Sequence, residues 1–371
     1  MSLAATVIDK VRVNNPDFDK NEHRLSEYGA LNFFYEQSRR SPLLTEEMKR
    51  KAIESAGQTL QIPVINFDGT ISVSDSRSCT VSDAENTSDL VDITFKTYFI
   101  GFTIVPTMYS NNSIDMEKDM AVKLRKCARA LGAALDADAI AALEAAKTQV
   151  FAESLMYDTT NDEVEATWDQ RENVLGDIDP IMYANDFVGT LHIIGNVGVR
   201  SLLNDLQKHM EYNEYNNALQ WADKYFHYSN RLSNEDDIYA TFYAVEEGNV
   251  DMLFRYDRET ALSERIGEAV KGAGNHTWEV INMPYLNIPV GLHYYEAVGD
   301  QSSIAGDATA DLTCARKQFY GFSVDVAFVV AYNSDATTMA SPIVKATVAS
   351  GSSFARPVSV VGVVQTQEVT P

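Results

Sequence analysis

Between residues 91 and 106 the chain reads VDITFKTYFIGFTIVP, and Val91, Ile93, Phe95, Thr97 and Phe99 alternate there with Asp92, Thr94, Lys96 and Tyr98. Successive side chains of a strand point to opposite faces, so this alternation predicts one long ribbon strand. It is preceded by LQIPVIN at 60–66, a turn at Gly69 and TISVSD at 70–75. A two-stranded ribbon is marginal alone in water, so one of this length needs a further surface, supplied by its own chain or by a neighbour.

After Pro106 the period becomes helical. Met116, Met120, Leu124, Cys127 and Leu131 recur at threes and fours, which predicts an amphipathic helix over 114–131. Gly132 is expected to end or bend it, and Asp136 to cap a second, alanine-rich helix through Ile140, Leu143 and Lys147. Upstream, residues 1–25 are polar and broken by Pro16, and read as an arm. Two short helices follow, one over 25–38 with Tyr28, Leu31, Phe34 and Tyr35 on one face, the other starting at Thr45 with Glu46 and Glu47 in its first turn.

Residues 158–180 are acidic and read as a loop anchored by Trp168. TLHIIG then predicts a buried strand, 199–210 a helix and 215–228 a second, aromatic-rich helix. YATFYAVEEGNVDMLFRYD reads as a hairpin turning at Glu247, Gly248 and Asn249. HTWEVINMP and LNIPVGLHYYEAVGD read as two more strands, and FYGFSVDVAFVVAYNS as a strongly apolar one. From Thr337 onward the only charges are Lys345, Arg356 and Glu368, so the tail is expected to be docked at least in part. Together these elements make an α+β chain.

A chain of 371 residues with 45% hydrophobic content can bury one large core or two smaller ones. Its formal charge of −23 repels phosphate backbones, which argues against tight duplex binding. Asp9, Lys10 and Arg12 interrupt any signal-peptide core, and no apolar run is long enough to span a membrane, so a soluble chain made in a cytoplasm is expected. Cys79, Cys127 and Cys314 are scattered and odd in number, which suits reduced thiols, and the sequons at Asn86, Asn111 and Asn275 read as chance.

Chemistry is sparse. None of His23, His192, His209, His227, His276 and His293 forms the i, i+4 pair of a helical zinc site, and all are expected to be structural or superficial. HIIGNVGVRSLL places glycines between a strand and a helix, where phosphates can be cradled, but the third glycine of GxGxxG and the GK[ST] of a phosphate loop are missing. A turn is the simpler reading of Gly195 to Val199. Glu172, Asp177 and Asp179 lack the spacing of a calcium loop and read as part of an acidic surface. No catalytic, cofactor-binding or metal site is expected, and the 18 tyrosines and 16 phenylalanines read as core and interface anchors.

HTWEVINMPYLNIPVGLHYYEAVGDQSS, DLTCARKQFYGFSVDVAFVVAYNSD and SPIVKATV resemble the C-terminal part of capsid proteins from phages of Bacteroidetes-like hosts. In element order the chain resembles the Hong Kong 97-type major capsid proteins of tailed phages. The resemblance implies a Hong Kong 97-like capsid fold: an N-terminal arm at 1–57, an extended E-loop at 58–108, a peripheral domain with its spine helix at 109–186, an axial domain at 187–305, a peripheral return strand at 306–335 and a C-terminal extension at 336–371. It implies a structural protein, not an enzyme, whose copies form pentamers and hexamers of an icosahedral shell around double-stranded DNA in the virion.

The partners implied are other copies of the chain, a portal, a separate scaffolding protein, decoration proteins and weakly contacted DNA, with no membrane and no cofactor. The family's cross-linking residues cannot be placed on this chain. Asp75, Asp83 and Asp89 are expected at or near the E-loop tip, touching an adjacent capsomer, and Ile93 and Phe95 are expected to become buried only on assembly. A tail sheath or tube subunit uses similar strand addition, and an α/β enzyme holding a nucleotide at Gly195 to Val199 is the alternative from another class.

Overall fold

The computed structural model describes residue 8 and residues 28–54, 59–65, 88–109, 113–147, 163–210, 224–232, 238–255, 277–298, 316–331 and 341–350. Helix α1, Gly29–Arg40, buries Leu31, Phe33, Phe34 and Tyr35 and ends on Arg39 and Arg40, which suit the negative end of a helix. Helix α2, Glu46–Glu54, starts behind Thr45, whose carbonyl accepts the Lys49 N–H at 3.0 Å. Strands β1, Thr59–Ile65, and β2, Ser88–Thr94, pair antiparallel with Thr59 opposite Thr94 and Ile65 opposite Ser88. Strand β3, Lys96–Ile104, leads through a 3-10 turn at Pro106–Tyr109 into helix α3, Ser113–Ala146. With 34 residues this helix is about 50 Å long.

Next come β4, Val164–Ala166, α4, Val174–Tyr183, β5, Leu191–Gly195, and α5, Val197–Met210. They are followed by β6, Lys224–Tyr228, β7, Ile238–Glu246, and β8, Val250–Arg255. The last four strands are β9, Thr277–Asn282, β10, Pro289–Val298, β11, Arg316–Val330, and β12, Ile343–Ala349.

The chain divides into two compact units. One draws on Phe95–Leu135 and Leu253–Ala327. Its sheet runs β3-β11-β10-β9, all antiparallel, with β8 also pairing β11. Ile104, Leu292, Tyr294, Tyr320, Phe322 and Val324 are buried along it. Lys123 on α3 donates to the Thr103 carbonyl at 3.1 Å, and Arg125 donates to the Tyr285 hydroxyl at 3.2 Å while its guanidinium lies over that ring.

The other unit draws on Ser26–Thr94, Asp136–Met252 and Phe328–Pro371, and its sheet runs β4-β12-β7-β5-β6. β5 and β12 are antiparallel to β7, whereas β6 and β4 add in parallel at the two ends. A cluster including Val174, Leu175, Ile178, Val199, Leu202, Phe242 and Val344 forms the core on this sheet. Asp251, fully buried, accepts the N–H groups of Leu44 and Met252 and pairs with Lys49 at 3.1 Å, which fixes the start of α2.

Several expectations change. The single ribbon strand over 91–106 is two strands in different sheets, interrupted at Phe95. Apolar residues occupy both parities in FKTYFIGF, so alternation left the buried face after the break ambiguous: Ile93 and Phe95 are inside, but beyond them Phe99 is 70% exposed and Ile104 is buried. The helix expected over 114–131 continues through Gly132 to Ala146, because the buried stripe of Leu131, Leu135, Ala139 and Leu143 outweighs the roughly 1 kcal/mol a helical glycine costs. Asp136 therefore lies inside this helix and does not cap a second one.

The acidic loop over 158–180 contains β4 and the start of α4, whose Val174, Leu175, Ile178 and Met182 are buried at helical spacing. The aromatic helix expected to reach Tyr228 is, over 224–228, strand β6, whose parallel partner β5 supplies the hydrogen bonds that decide its conformation. The turn at Gly248, with φ +90, is present, but β7 and β8 enter different sheets and form no hairpin. Within the expected 187–305 domain, β10 pairs with β11 and β9 with β10, in the sheet of β3. Within the expected C-terminal extension, β12 is an inner strand of its own chain's sheet, flanked by β4 and β7.

Candidate functional site

The two-stranded sheet of β1 and β2 is the element with the least support. Among the described residues no third strand joins it, and β2 is exposed at Ser88, Asp89, Leu90, Asp92 and Thr94. Leu90 is 63% exposed and stands opposite Pro63. Proline has no backbone donor and is confined to positions where the ladder does not need one. Asp89 lies in this ribbon opposite Val64, whereas Asp75 and Asp83 fall outside the described residues.

Ile93 and Phe95, expected to become buried only on assembly, are 5% and 2% exposed within the chain itself, so their burial does not wait for a neighbour. Over the Phe95 ring lies the Arg255 guanidinium at 4.7 Å, which is paired in turn with Asp325 at 3.2 Å. In β2 and β3 the large apolar side chains that do face outward are Leu90 and Phe99.

Phe99 borders an open groove of about 480 Å³ on the sheet of β3, β11 and β10, with Thr103, His293, Tyr295 and Phe319. Its floor comes from a cross-strand glycine pair, Gly101 opposite Gly321. A Cβ on Gly101 would lie 2.7 Å from the Tyr320 carbonyl oxygen, and one on Gly321 would lie 3.0 Å from the Phe99 ring. Ser323 and His293 hydrogen-bond at 2.7 Å beside it.

The glycines of HIIGNVGVRSLL have packing reasons. A Cβ on Gly195 would lie 2.8 Å from the Val199 side chain, and one on Gly198 would fall on the Tyr239 carbonyl oxygen. The first turn of α5 is capped by Asn196, whose Oδ1 accepts the Val199 N–H at 3.3 Å. Of the acidic trio, Asp179 pairs with Lys224 at 2.8 Å, and that ammonium also donates to the Leu175 carbonyl. Among the described residues no group of three or more His, Cys, Asp or Glu is placed to hold a metal. No helix among them is long and apolar enough to cross a membrane.

Two buried polar centres had escaped sequence reading. In the first, Asp136 is fully buried and accepts the Leu31 N–H at 3.0 Å and the Ser229 hydroxyl, so α3, α1 and the end of β6 meet on one carboxylate. Burial raises its pKa, against the lowering effect of those hydrogen bonds and of Arg231. In the second, His192 on β5, opposite Tyr225, and His227 on β6, opposite Ile194, meet on a diagonal with Nδ1 and Nε2 3.2 Å apart, and Gln37 Nε2 lies 3.0 Å from His192 Nε2. Burial, followed by the nearby His227 and Arg40, lowers the His192 pKa to about 4. No sequence spacing links residues 37, 192 and 227, and His227 was expected in a helix.

A third centre links β12 to the end of α3. Lys345 pairs with Glu163 at 2.7 Å and with Glu144 at 3.4 Å, and the Tyr243 hydroxyl donates to Glu144. Burial and that carboxylate push the tyrosine pKa well up.

No family model and no curated protein matches the sequence. Among solved structures the chain is similar to the capsid structure of the cyanophage P-SCSP1u, at 10% identity and a TM-score of 0.43 over 80% of this chain and 85% of that one. It is also similar to a chain of Mycobacterium phage Che8, at 12% identity and a TM-score of 0.43 over 82% and 89%. A third likeness is to the cyanophage Pam1 capsid asymmetric unit, at 11% identity and a TM-score of 0.42 over 80% and 86%.

Proposed function

We propose that the chain is a shell-building subunit, the major capsid protein of a tailed phage, whose copies close into an icosahedral shell of pentamers and hexamers around double-stranded DNA. The observation that carries the proposal is the β1–β2 ribbon, a two-stranded sheet with Leu90 63% exposed. Such a ribbon is marginal in water until a further surface covers it, and in a shell that surface is a neighbouring copy. The order of ribbon, 34-residue helix and two mixed units supports the same reading, as does the resemblance of the segments at 276–303, 311–335 and 341–348.

In this reading the ribbon is the E-loop, α3 is the spine helix, and residues 75–89 with Asp75, Asp83 and Asp89 reach the adjacent capsomer. Leu90 takes the role first given to Ile93 and Phe95, because it presents apolar surface that its own chain leaves open. The role is structural and not catalytic, its location is the virion, and a portal, a scaffolding protein and decoration proteins are the further partners. The net charge of −23 limits contact with packaged DNA to weak, non-specific encounters.

Deleting residues 76–88 tests the proposal. A folded, soluble subunit that no longer forms shells is expected. Normal shells from the deletion variant would overturn the assignment of the ribbon.

A further inference from the structure

The buried histidine pair sits where α1 meets the sheet. Tyr28 bridges Ser229, a Cβ on Gly29 would fall on the backbone of Tyr228, and Phe33 packs against both His192 and His227 with ring centroids 5.1 and 5.5 Å away. The ionisable groups around the pair are Glu36 and Arg40 from α1 and Tyr225 from β6.

The hydrogen bonds across this contact have a fixed direction. Gln37 Oε1 accepts the Gly248 N–H at 3.3 Å, so the amide turns its NH₂ toward His192 Nε2, 3.0 Å away. That nitrogen must then be an acceptor without a proton. A neutral imidazole carries its hydrogen on the other nitrogen, so His192 Nδ1 donates to His227 Nε2 at 3.2 Å, and His227 in turn holds its own hydrogen on Nδ1.

The chain therefore runs from the Gly248 turn through α1 to β5 and β6, and each link depends on the one before. A proton added to His192 sets an N–H against the Gln37 NH₂. Flipping the amide only moves the conflict, because it sets the NH₂ against the Gly248 N–H. A proton added at His227 Nε2 forces His192 into its other tautomer and produces the same conflict at Gln37. Only two neutral rings satisfy every partner.

We propose that Gln37, His192 and His227 form a proton-sensitive latch that fastens α1 to β5 and β6 at neutral pH and releases it on acidification. The depressed pKa values of both rings agree in direction with a site that resists protonation until the medium is acidic. Release frees α1 and the Gly248 turn together, because Gln37 holds both. The proposal does not depend on what the subunit assembles into.

Two measurements on the full chain test it. In long-range proton–nitrogen spectra at pH 6.5, His192 and His227 are both expected as neutral Nδ1–H tautomers; an Nε2–H tautomer or an imidazolium at either ring would overturn the latch. In hydrogen exchange corrected for intrinsic rate, protection of residues 29–40 is expected to fall at least tenfold between pH 7 and pH 4, while that of β7 changes less than threefold. His192→Phe, which keeps the ring stack and cannot titrate, is expected to abolish the pH dependence at 29–40. Equal protection at both pH values, or an unchanged pH dependence in His192→Phe, would refute the proposal.

Discussion

Replacing Asp136 probes the junction on which α1, α3 and the end of β6 converge. In Asp136→Ala the Leu31 N–H and the Ser229 hydroxyl both lose their acceptor in a fully buried site. Each stranded group costs about 1–3 kcal/mol, or about 2–6 kcal/mol for the two. Removing a carboxylate whose pKa burial has raised returns part of that, so a net loss of about 2–4 kcal/mol is expected. Asp136→Asn keeps an acceptor for Leu31 and turns an NH₂ toward Ser229, whose Oγ already accepts the Arg231 N–H at 3.1 Å. It should cost about 1 kcal/mol.

The pH dependence has a definite sign. A carboxyl with a raised folded-state pKa contributes stability that is full below its unfolded value and is lost as pH rises through the folded value. The gap between wild type and Asp136→Asn should therefore be wider at pH 4 than at pH 7. Urea unfolding followed by tryptophan fluorescence measures both quantities. An alanine variant within 0.5 kcal/mol of wild type, or an asparagine variant less stable than the alanine one, would refute the junction.

Three other outcomes are expected. Gly198→Ala should lower the melting temperature by several degrees, because its Cβ falls on the Tyr239 carbonyl and α5 must lift from β7; thermal unfolding checks this. A chain ending at Ala340 loses β12, which is buried between β4 and β7, and should give no cooperative unfolding transition. Neutral His192 contributes stability that is full above pH 6.5 and lost as pH falls toward 4, amounting to about 3 kcal/mol if its unfolded pKa is ordinary. Wild type and His192→Phe compared in urea at pH 7 and pH 4.5 would show it as a gap that closes on acidification.

Elements whose apolar residues share one parity or one helical face were legible in the sequence. The stripe from Met120 to Leu131 is of this kind, and TLHIIG, buried at every position of β5, was legible instead as a short continuous apolar run. Where both parities are apolar, as from Phe95 to Phe102, the alternation identified strand but could not say which face turns inward or where one sheet gives way to another. Lys224–Tyr228 shows a different limit: its aromatic residues suit helix or strand equally, and pairing with β5 decides. The partnership of β12 with β7, of Gln37 with His192, and of His192 with His227 depends on contacts between residues far apart in the sequence, which no local period encodes. The candidate assembly surface was legible as a ribbon but not as particular residues. Which apolar side chains remain uncovered depends on packing, and packing exposes Leu90 and Phe99 instead of Ile93 and Phe95.

The most direct test of the proposed role is electron microscopy of the purified full chain, alone and coexpressed with a scaffolding partner from its own genome. Closed icosahedral shells, with the 59–94 ribbon of each copy lying on a neighbour, are the expected result. Cylinders, or a chain that stays monomeric in both conditions, would contradict it.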